Sequence, residues 1–418
     1  MRRLFSLICI LVVSPVFAQD YAKKIMDNPA MGAANMMNYH YQQTELTPAP
    51  KGYSAFYIAH YGRHGSRYDS NDSNVSVVWP IMRKAAESGL LSEAGQAFFK
   101  ELDAVFTEQE GMYGMLTRLG AREQREIAER MAINFPDVFK SRSGRKTVFA
   151  QSSTVPRCIM SMTNFTHSLD RNTEGLDFRF VTGEKYYETL AYRPKGMPAK
   201  KMATGKEKEV RRKSMNPLDI IGHFFNDIEK ALEIIGDPYS FEQHLYLACC
   251  VGHLSDRGTC LLAYFPHEVL VRNWEVRNPR FFLSYGMSDE MSDIQMKVSR
   301  RILKDFIERA DTALLPGSGI AADLRFGHDT GLLPLVGHLR IEGMDDWAAF
   351  DKVNSVWNSS VSICMASNFQ MVFYADKKGD VLVKLLYNEK ETAIPVLDTF
   401  SGPYYKWADL RSYFVSLL

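Results

Sequence analysis

Charge of one sign is the first thing this chain lacks: 50 Lys and Arg stand against 49 Asp and Glu, for a formal net charge of +1. No global field draws it to nucleic acid or to a membrane surface, so any selectivity for anions has to be local. Cysteine is sparse, with six in 418 residues. No CxxC, HExxH or P-loop pattern occurs, which leaves a structural zinc, a zinc hydrolase and a Walker-type nucleotide site without support. Internal repeats and low-complexity tracts are missing too. What is there is the profile of an ordinary globular protein, 46% hydrophobic and 24% charged. Its length allows one large domain with an insertion, or two domains.

Arg2 and Arg3, the apolar run Leu4 to Val13 and Val16-Phe17-Ala18 before Gln19 read as an export leader, residues 1–18, cut after Ala18. The apolar run is too short for a stable bilayer anchor. A periplasmic or secreted protein without a membrane anchor is the expectation. Loss of Cys9 leaves Cys158, Cys249, Cys250, Cys260 and Cys364. An odd number in an exported chain argues against a complete disulfide framework, and pairing is not readable from spacing. Vicinal Cys249 and Cys250 read as small buried hydrophobes.

Residues Gln19 to Lys51 show little periodicity and are expected to wrap the surface. A strand is expected over Ala55 to Tyr61, a helix over Val75 to Gly89, and an amphipathic helix over Arg118 to Phe135 with Thr117 as N-cap. A strand over Thr147 to Gln151 precedes a helix running to Leu169. Strands alternating with helices indicate an α/β fold with a largely parallel sheet. From 170 to 293 the pattern turns mainly helical, with apolar segments at Pro217 to Ile235, Gln243 to Leu254 and Trp274 to Tyr285. That stretch separates 19–169 from 294–418, and a helix over Val298 to Leu315 follows it. Near the end, Gln370 to Ala375 and Val381 to Tyr387 alternate around Lys377-Lys378-Gly379-Asp380, a β-hairpin signal.

The densest chemistry follows the first strand. In Arg63-His64-Gly65-Ser66-Arg67 an imidazole stands between two guanidinium forks, which match phosphate oxygens, and the glycine lets backbone approach a ligand. Downstream, Arg325-Phe326-Gly327-His328-Asp329-Thr330 sets a histidine beside an aspartate. Between them lie Gly114-Met115-Leu116-Thr117-Arg118-Leu119-Gly120 with Gln124, and Gln151-Ser152-Ser153-Thr154-Val155-Pro156-Arg157 running on to Ser161 and Phe165. These four ordered motifs resemble the histidine acid phosphatase branch of the histidine phosphatase superfamily, marked by RHGxR and a later HD or HAE. The chain departs from that pattern at Asp69, where proline is common, and at Arg125 after Gln124, where histidine is common. RHGSRY, and Phe265-Pro266-His267-Glu268 leading to Trp274 and Tyr285-Gly286, resemble the multiple inositol polyphosphate phosphatases, although those usually carry HAE.

The resemblance implies a phosphoglycerate mutase-like core, 19–169 and 294–418, with 170–293 as a mainly helical inserted cap, and hydrolysis of phosphate esters through a phosphohistidine. A phosphate monoester needs an in-line nucleophile, charge spread from its oxygens and a protonated leaving group. His64 is the candidate nucleophile, kept neutral by the arginines around it. Arg63, Arg67 and Arg157 would clamp the phosphoryl oxygens, His328 would complete the cradle, and Asp329 is the candidate general acid. No metal or other cofactor is implied, because arginines supply the positive charge. Arg157 also has a plainer reading as one half of a buried salt bridge, and Thr330 one as a helix cap. His60, His253 and His338 read as packed or surface histidines.

Basic residues crowd between Lys195 and Lys213. Lys200, Lys201, Arg211 and Arg212 are the candidate cap contacts for a polyanion, against the alternative of a solvated loop. The expected function is therefore an exported phosphomonoesterase acting on a small-molecule phosphate ester, with inositol polyphosphates preferred. A broad acid phosphatase for sugar phosphates or nucleotides is one alternative, a phosphate-binding pseudoenzyme another. The oligomeric state is open.

Overall fold

In the computed structural model of the chain, residues 15–140 and 145–418 are described, with side chains from residue 21 onward. The expected leader lies outside the described residues, except for the backbone of 15–18 at the start of the helix Pro15–Asp27. Eight strands make one sheet: β1 (Ser54–Arg63), β2 (Lys146–Ser152), β3 (Leu176–Thr182), β4 (Ile320–Gly327), β5 (Asn368–Ala375), β6 (Val381–Tyr387), β7 (Lys390–Thr392) and β8 (Tyr404–Lys406). Their order is β3-β2-β4-β1-β5-β6-β7, with β8 also on β6. The strands β3, β2, β4 and β1 run parallel, and β5 to β8 extend the sheet antiparallel. The expected hairpin is β5–β6.

Alternation along β1 sorts its side chains between two faces. Tyr57, Ala59 and Tyr61 pack against the helices Ser292–Ala313, Asp329–His338 and Trp407–Ser416. Ile58 joins Val148, Ala150 and Leu324 under the helices Arg118–Asn134 and Pro156–Arg171. A further apolar cluster unites helices Val75–Glu87, Glu93–Gln109, Leu218–Phe224, Pro238–Cys249 and His267–Tyr285.

Several expectations change. The boundary at 170 comes too early, because β3 pairs along its whole length with β2 in the sheet. Helices before the insertion share its apolar cluster, so the helical unit draws on two separate stretches of chain. The segment Pro217 to Ile235 is two helices, the second begun by Asp227, whose side chain accepts from the Lys230 amide at 3.1 Å. The basic stretch is not a loop but the helix Pro198–Ser214, opened by proline in its first turn. Ala199, Ala203, Glu207 and Arg211 form its buried face. The N-terminal stretch does not simply wrap the surface either: Gly32, Ala33, Ala34, Asn35 and Met36 are buried in a 3₁₀ segment, Pro29–Met36. Small side chains let it in; a Cβ on Gly32 would strike Leu270.

His60 lies on β1 between the rings of Phe165 and Phe326. Burial, then Arg325, pushes its pKa down to about 3. Burial likewise holds His253 and His338 at about 4. These folded values lie below the unfolded one, so between about pH 4 and 6.5 the unfolded chain binds more protons and stability falls as pH falls. His60→Gln is expected to flatten that dependence by up to about 1.4 kcal/mol per pH unit in urea unfolding between pH 4.5 and 6.5. Equal slopes in the two proteins would mean that His60 takes up its proton in the folded state.

Candidate active site

In open α/β sheets the carboxyl ends of neighbouring parallel strands converge on one edge, where ligands bind. Here β1 and β4 end in register, Arg63 opposite Gly327, and β2 ends beside them, Ser152 opposite Phe326. The chain then delivers His64 after β1, Ser153 and Arg157 after β2, and His328 and Asp329 after β4. The amide of His64 donates to Gly327 O at 3.1 Å, and that of Ser153 to Phe326 O at 3.1 Å. Arg157 and Asp329 both sit in the first turn of a helix, where the dipole favours an anion.

The loop after β1 is pinned from below by the helix Arg118–Asn134. Glu123 accepts from the Ser66 amide and hydroxyl, both at 2.7 Å, and from the Tyr39 amide at 2.9 Å. Gln124 Nε2 donates to Arg63 O at 3.1 Å, and Ser161 Oγ accepts from the Gly65 amide at 3.1 Å. Thr117 is the N-cap of this helix, as expected. A Cβ on Gly65 would run into the Gly120 carbonyl, and one on Gly120 into the Ser66 backbone. The two glycines thus allow loop and helix backbones to touch. This corrects the reading of Gly65 as room for a ligand.

His64 is buried, and its Nδ1 lies 2.9 Å from Gly65 O. A carbonyl only accepts, so Nδ1 carries the hydrogen and Nε2 keeps its lone pair. Burial, then Arg157, Arg63, His328 and Arg67, hold its pKa well below the ordinary imidazole value. The ring of His328 stands 5.6 Å away at 76°. His328 Nε2 is 3.1 Å from Ser153 Oγ, and burial followed by Arg157 lowers its pKa to about 3. Cys158 Sγ backs it at 3.7 Å.

The arginines differ in how far the protein satisfies them. Arg63 is almost wholly committed: Nη1 donates to Asn35 O at 2.6 Å and Ile363 O at 2.7 Å, and Nη2 pairs with Asp329 Oδ2 at 2.7 Å. Arg67 Nη1 donates to Tyr68 O at 2.8 Å. Among the described residues Arg157 makes one long bond, Nη1 to Gly114 O at 3.3 Å, and no ion pair, so the buried salt bridge considered for it is not formed there. The Nε atoms of all three are buried without an acceptor among the described residues. Burial followed by Arg157 brings Arg67 down to about 10, still charged at neutral pH. For Asp329, burial pushes the pKa up, but Arg63, His328, Arg67 and Asn35 outweigh it and hold the carboxyl below its ordinary value.

These residues line a cavity of about 400 Å³. Seven cationic side chains face it against two carboxylates, Asp69 and Asp329. Of the candidate cap contacts only Lys200 lines it. Lys201 is exposed, Arg212 pairs with Asp237 at 3.9 Å, and Arg211 is buried against Asn273 at 2.9 Å. Successive residues of a helix turn by about 100°, so the cations of Pro198–Ser214 cannot share one face. Arg193, Arg277 and Arg280 line the cavity instead and were missed. Burial, then Arg280, Arg193 and Arg277, lowers the Lys200 pKa, as befits a cluster of like charges.

Of the two departures from the family pattern, Asp69 stands at the rim. Arg125 turns away to Asn164 at 2.7 Å. Thr330 does not cap its helix, which begins one residue earlier; its amide donates to Asp329 Oδ1 at 2.9 Å. His60, His253 and His338 do not line the cavity. Cys158, Cys249, Cys250, Cys260 and Cys364 are free thiols. Among the described residues no helix is long and apolar enough to cross a membrane, and no cluster of His, Cys, Asp or Glu would hold a metal ion.

No family model matches the chain, and no curated protein matches its sequence. Solved structures do match its fold. The multiple inositol polyphosphate phosphatase of Bifidobacterium longum, solved in complex with inositol hexasulfate, superposes with a TM-score of 0.73 at 19% identity, over 92% of this chain and 97% of that one. The phytase from D. castellii gives 0.68 at 13% identity, over 93% and 84%. The Citrobacter braakii phytase gives 0.53 at 10%, over 87% and 98%. The fold of this chain is therefore that of the histidine acid phosphatases.

Proposed function

We propose that the protein is an exported phosphomonoesterase that hydrolyses inositol polyphosphates through a phosphohistidine on His64. The observation that carries this reading is His64 itself. It is neutral, its Nδ1 is tied to Gly65, its Nε2 keeps its lone pair, and it lines a cationic cavity together with three arginines. In the first step Nε2 attacks phosphorus in line, the bond to the leaving oxygen breaks, and Asp329 protonates that oxygen. Free Asp329 is ionised, but a phosphate dianion bound beside it pushes its pKa up, so the carboxyl takes up a proton as substrate enters. In the second step water attacks phosphorus, Asp329 accepts its proton, and the N–P bond breaks. Arg67 and Arg157, with few bonds to the protein, take the equatorial oxygens, and His328 completes the cradle. Arg63 divides its fork between Asp329 and the backbone. The arginines supply the charge that a metal supplies elsewhere. Export rests on the leader read over residues 1–18.

Inositol polyphosphates are favoured because the positive charge continues up the wall, through Arg193, Lys200, Arg277 and Arg280, beyond what one phosphate can use. The test is phosphate release from inositol hexakisphosphate, undiminished by a chelator. Lys200→Gln with Arg277→Gln is expected to raise its KM by ~10-fold or more, through lost charge-assisted bonds. For a singly phosphorylated ester KM should change little. The effect should shrink with added salt, since partly exposed charges are screened within ~10 Å at 0.1 M. Lys201→Gln with Arg212→Gln serves as the control with no effect. Equal changes on both substrates would leave a phosphatase without a polyphosphate preference.

A further inference from the structure

We infer that Asn35 is a positioning residue for Asp329, locking the carboxyl so that its transferable proton is carried on Oδ1; this rests on the phosphomonoesterase reading above. Asp329 Oδ2 accepts from Asn35 Nδ2 at 3.1 Å and from Arg63 Nη2 at 2.7 Å. Each carboxylate oxygen offers two lone pairs, so Oδ2 is full. Among the described residues Oδ1 accepts only the Thr330 amide, at 2.9 Å, and keeps one lone pair. Oδ1 is thus the oxygen that can give a proton to the leaving group and take one from the attacking water. A carboxylate cannot donate, so the Asn35 amide must face it with its nitrogen. Asn35 Oδ1 is left buried without a partner among the described residues.

The network closes on itself, because the backbone carbonyl of Asn35 accepts from Arg63 Nη1 at 2.6 Å. Asn35 is 5% exposed and does not line the cavity, so it acts on the reaction only through Asp329. Its own placement is over-determined. Tyr246 OH donates to Gly32 O at 2.6 Å, and Ser360 Oγ to Met31 O at 2.6 Å. Ala34 is held at φ 53°, ψ −134°, a conformation unfavourable for any residue with a Cβ. Strained backbone kept by its surroundings commonly marks a functional position.

The test compares Asn35→Ala and the isosteric Asn35→Asp with wild type, on an alkyl phosphate and on an activated aryl phosphate, across pH. For Asn35→Ala, kcat on the alkyl ester should fall by ~10-fold or more with KM nearly unchanged, and on the aryl ester by several-fold less. A donor to the charged carboxyl has been removed, so the alkaline limb of kcat should move to higher pH. Asn35→Asp sets two carboxyls to share one proton and should move it further, by ~1 unit. Equal losses on both esters with an unmoved limb would overturn the inference, reducing Asn35 to a structural residue. Where Asn35→Ala does not fold, Asn35→Asp decides by the limb alone. If wild type releases phosphate from neither ester, the phosphomonoesterase reading itself falls, and this inference with it.

Discussion

His64→Ala should lower phosphate release from every ester by at least ~10⁴-fold, the size of loss seen when a covalent nucleophile is deleted. The fold should survive. The bonds that shape the loop run from the Gly65 and Ser66 backbone and the Ser66 hydroxyl to Ser161 and Glu123, and none uses the imidazole. The one side-chain bond lost, to Gly65 O, is local. Inositol hexakisphosphate should therefore still bind, through arginines that the substitution leaves in place, and should still raise the unfolding temperature. Wild type mixed with substrate and stopped in alkaline denaturant should carry phosphate on protein, and the variant none. Turnover near the wild-type rate in His64→Ala would remove the nucleophile from the mechanism. Lost turnover together with lost binding would point to a collapsed loop instead.

The candidate site residues that line the cavity stand out in the sequence for a shared physical reason. Arg63 ends a strand, and His64, Arg67, Arg157, His328 and Asp329 follow one, so their motifs combine a local apolar run with the polar residues at its end. Parallel pairing of β1, β4 and β2 then brings three such ends to one edge. That convergence needs only the topology, which alternating strands and helices already indicate. Thr117, Gly120 and Gln124 were legible in the same way, as a helix start. Glu123 was not, because a buried carboxylate satisfied by loop amides looks like any other charge in an amphipathic helix.

What stayed hidden depends on contacts between remote segments. Arg277 and Arg280 face the cavity because of how the helix His267–Tyr285 packs, not because of a pattern near them. Charge masked the helix Pro198–Ser214, although Pro198 and the small residues at 199 and 203 are helical signals. Asn35 lies in a 3₁₀ segment with a non-helical residue at Ala34, which has no period to detect. Only its distance to Asp329, 294 residues on, reveals a role.

Asp329→Asn should keep phosphate affinity and lose ~10²–10⁴-fold in kcat on alkyl esters, the range supplied by general acid–base catalysis. An amide fits the same space and can still accept from Arg63, but it has no proton to give. An activated aryl phosphate leaves without one, so its first step should suffer far less. Its second step still lacks a base for water, so phosphorylated His64 should accumulate in the variant and appear as a burst of aryl alcohol. Stability should respond to pH with a definite sign. Arg63, His328 and Arg67 hold the folded carboxyl below its unfolded value of about 3.9. The stabilisation it brings is then present in full above that value and is lost as pH falls through the folded pKa. The stability gap between wild type and Asp329→Asn should be widest at neutral pH and close below about pH 4. Equal kinetic losses on alkyl and activated aryl esters, with no burst, would take the proton-transfer role from Asp329. It would then serve only as the counter-charge that keeps Arg63 in place.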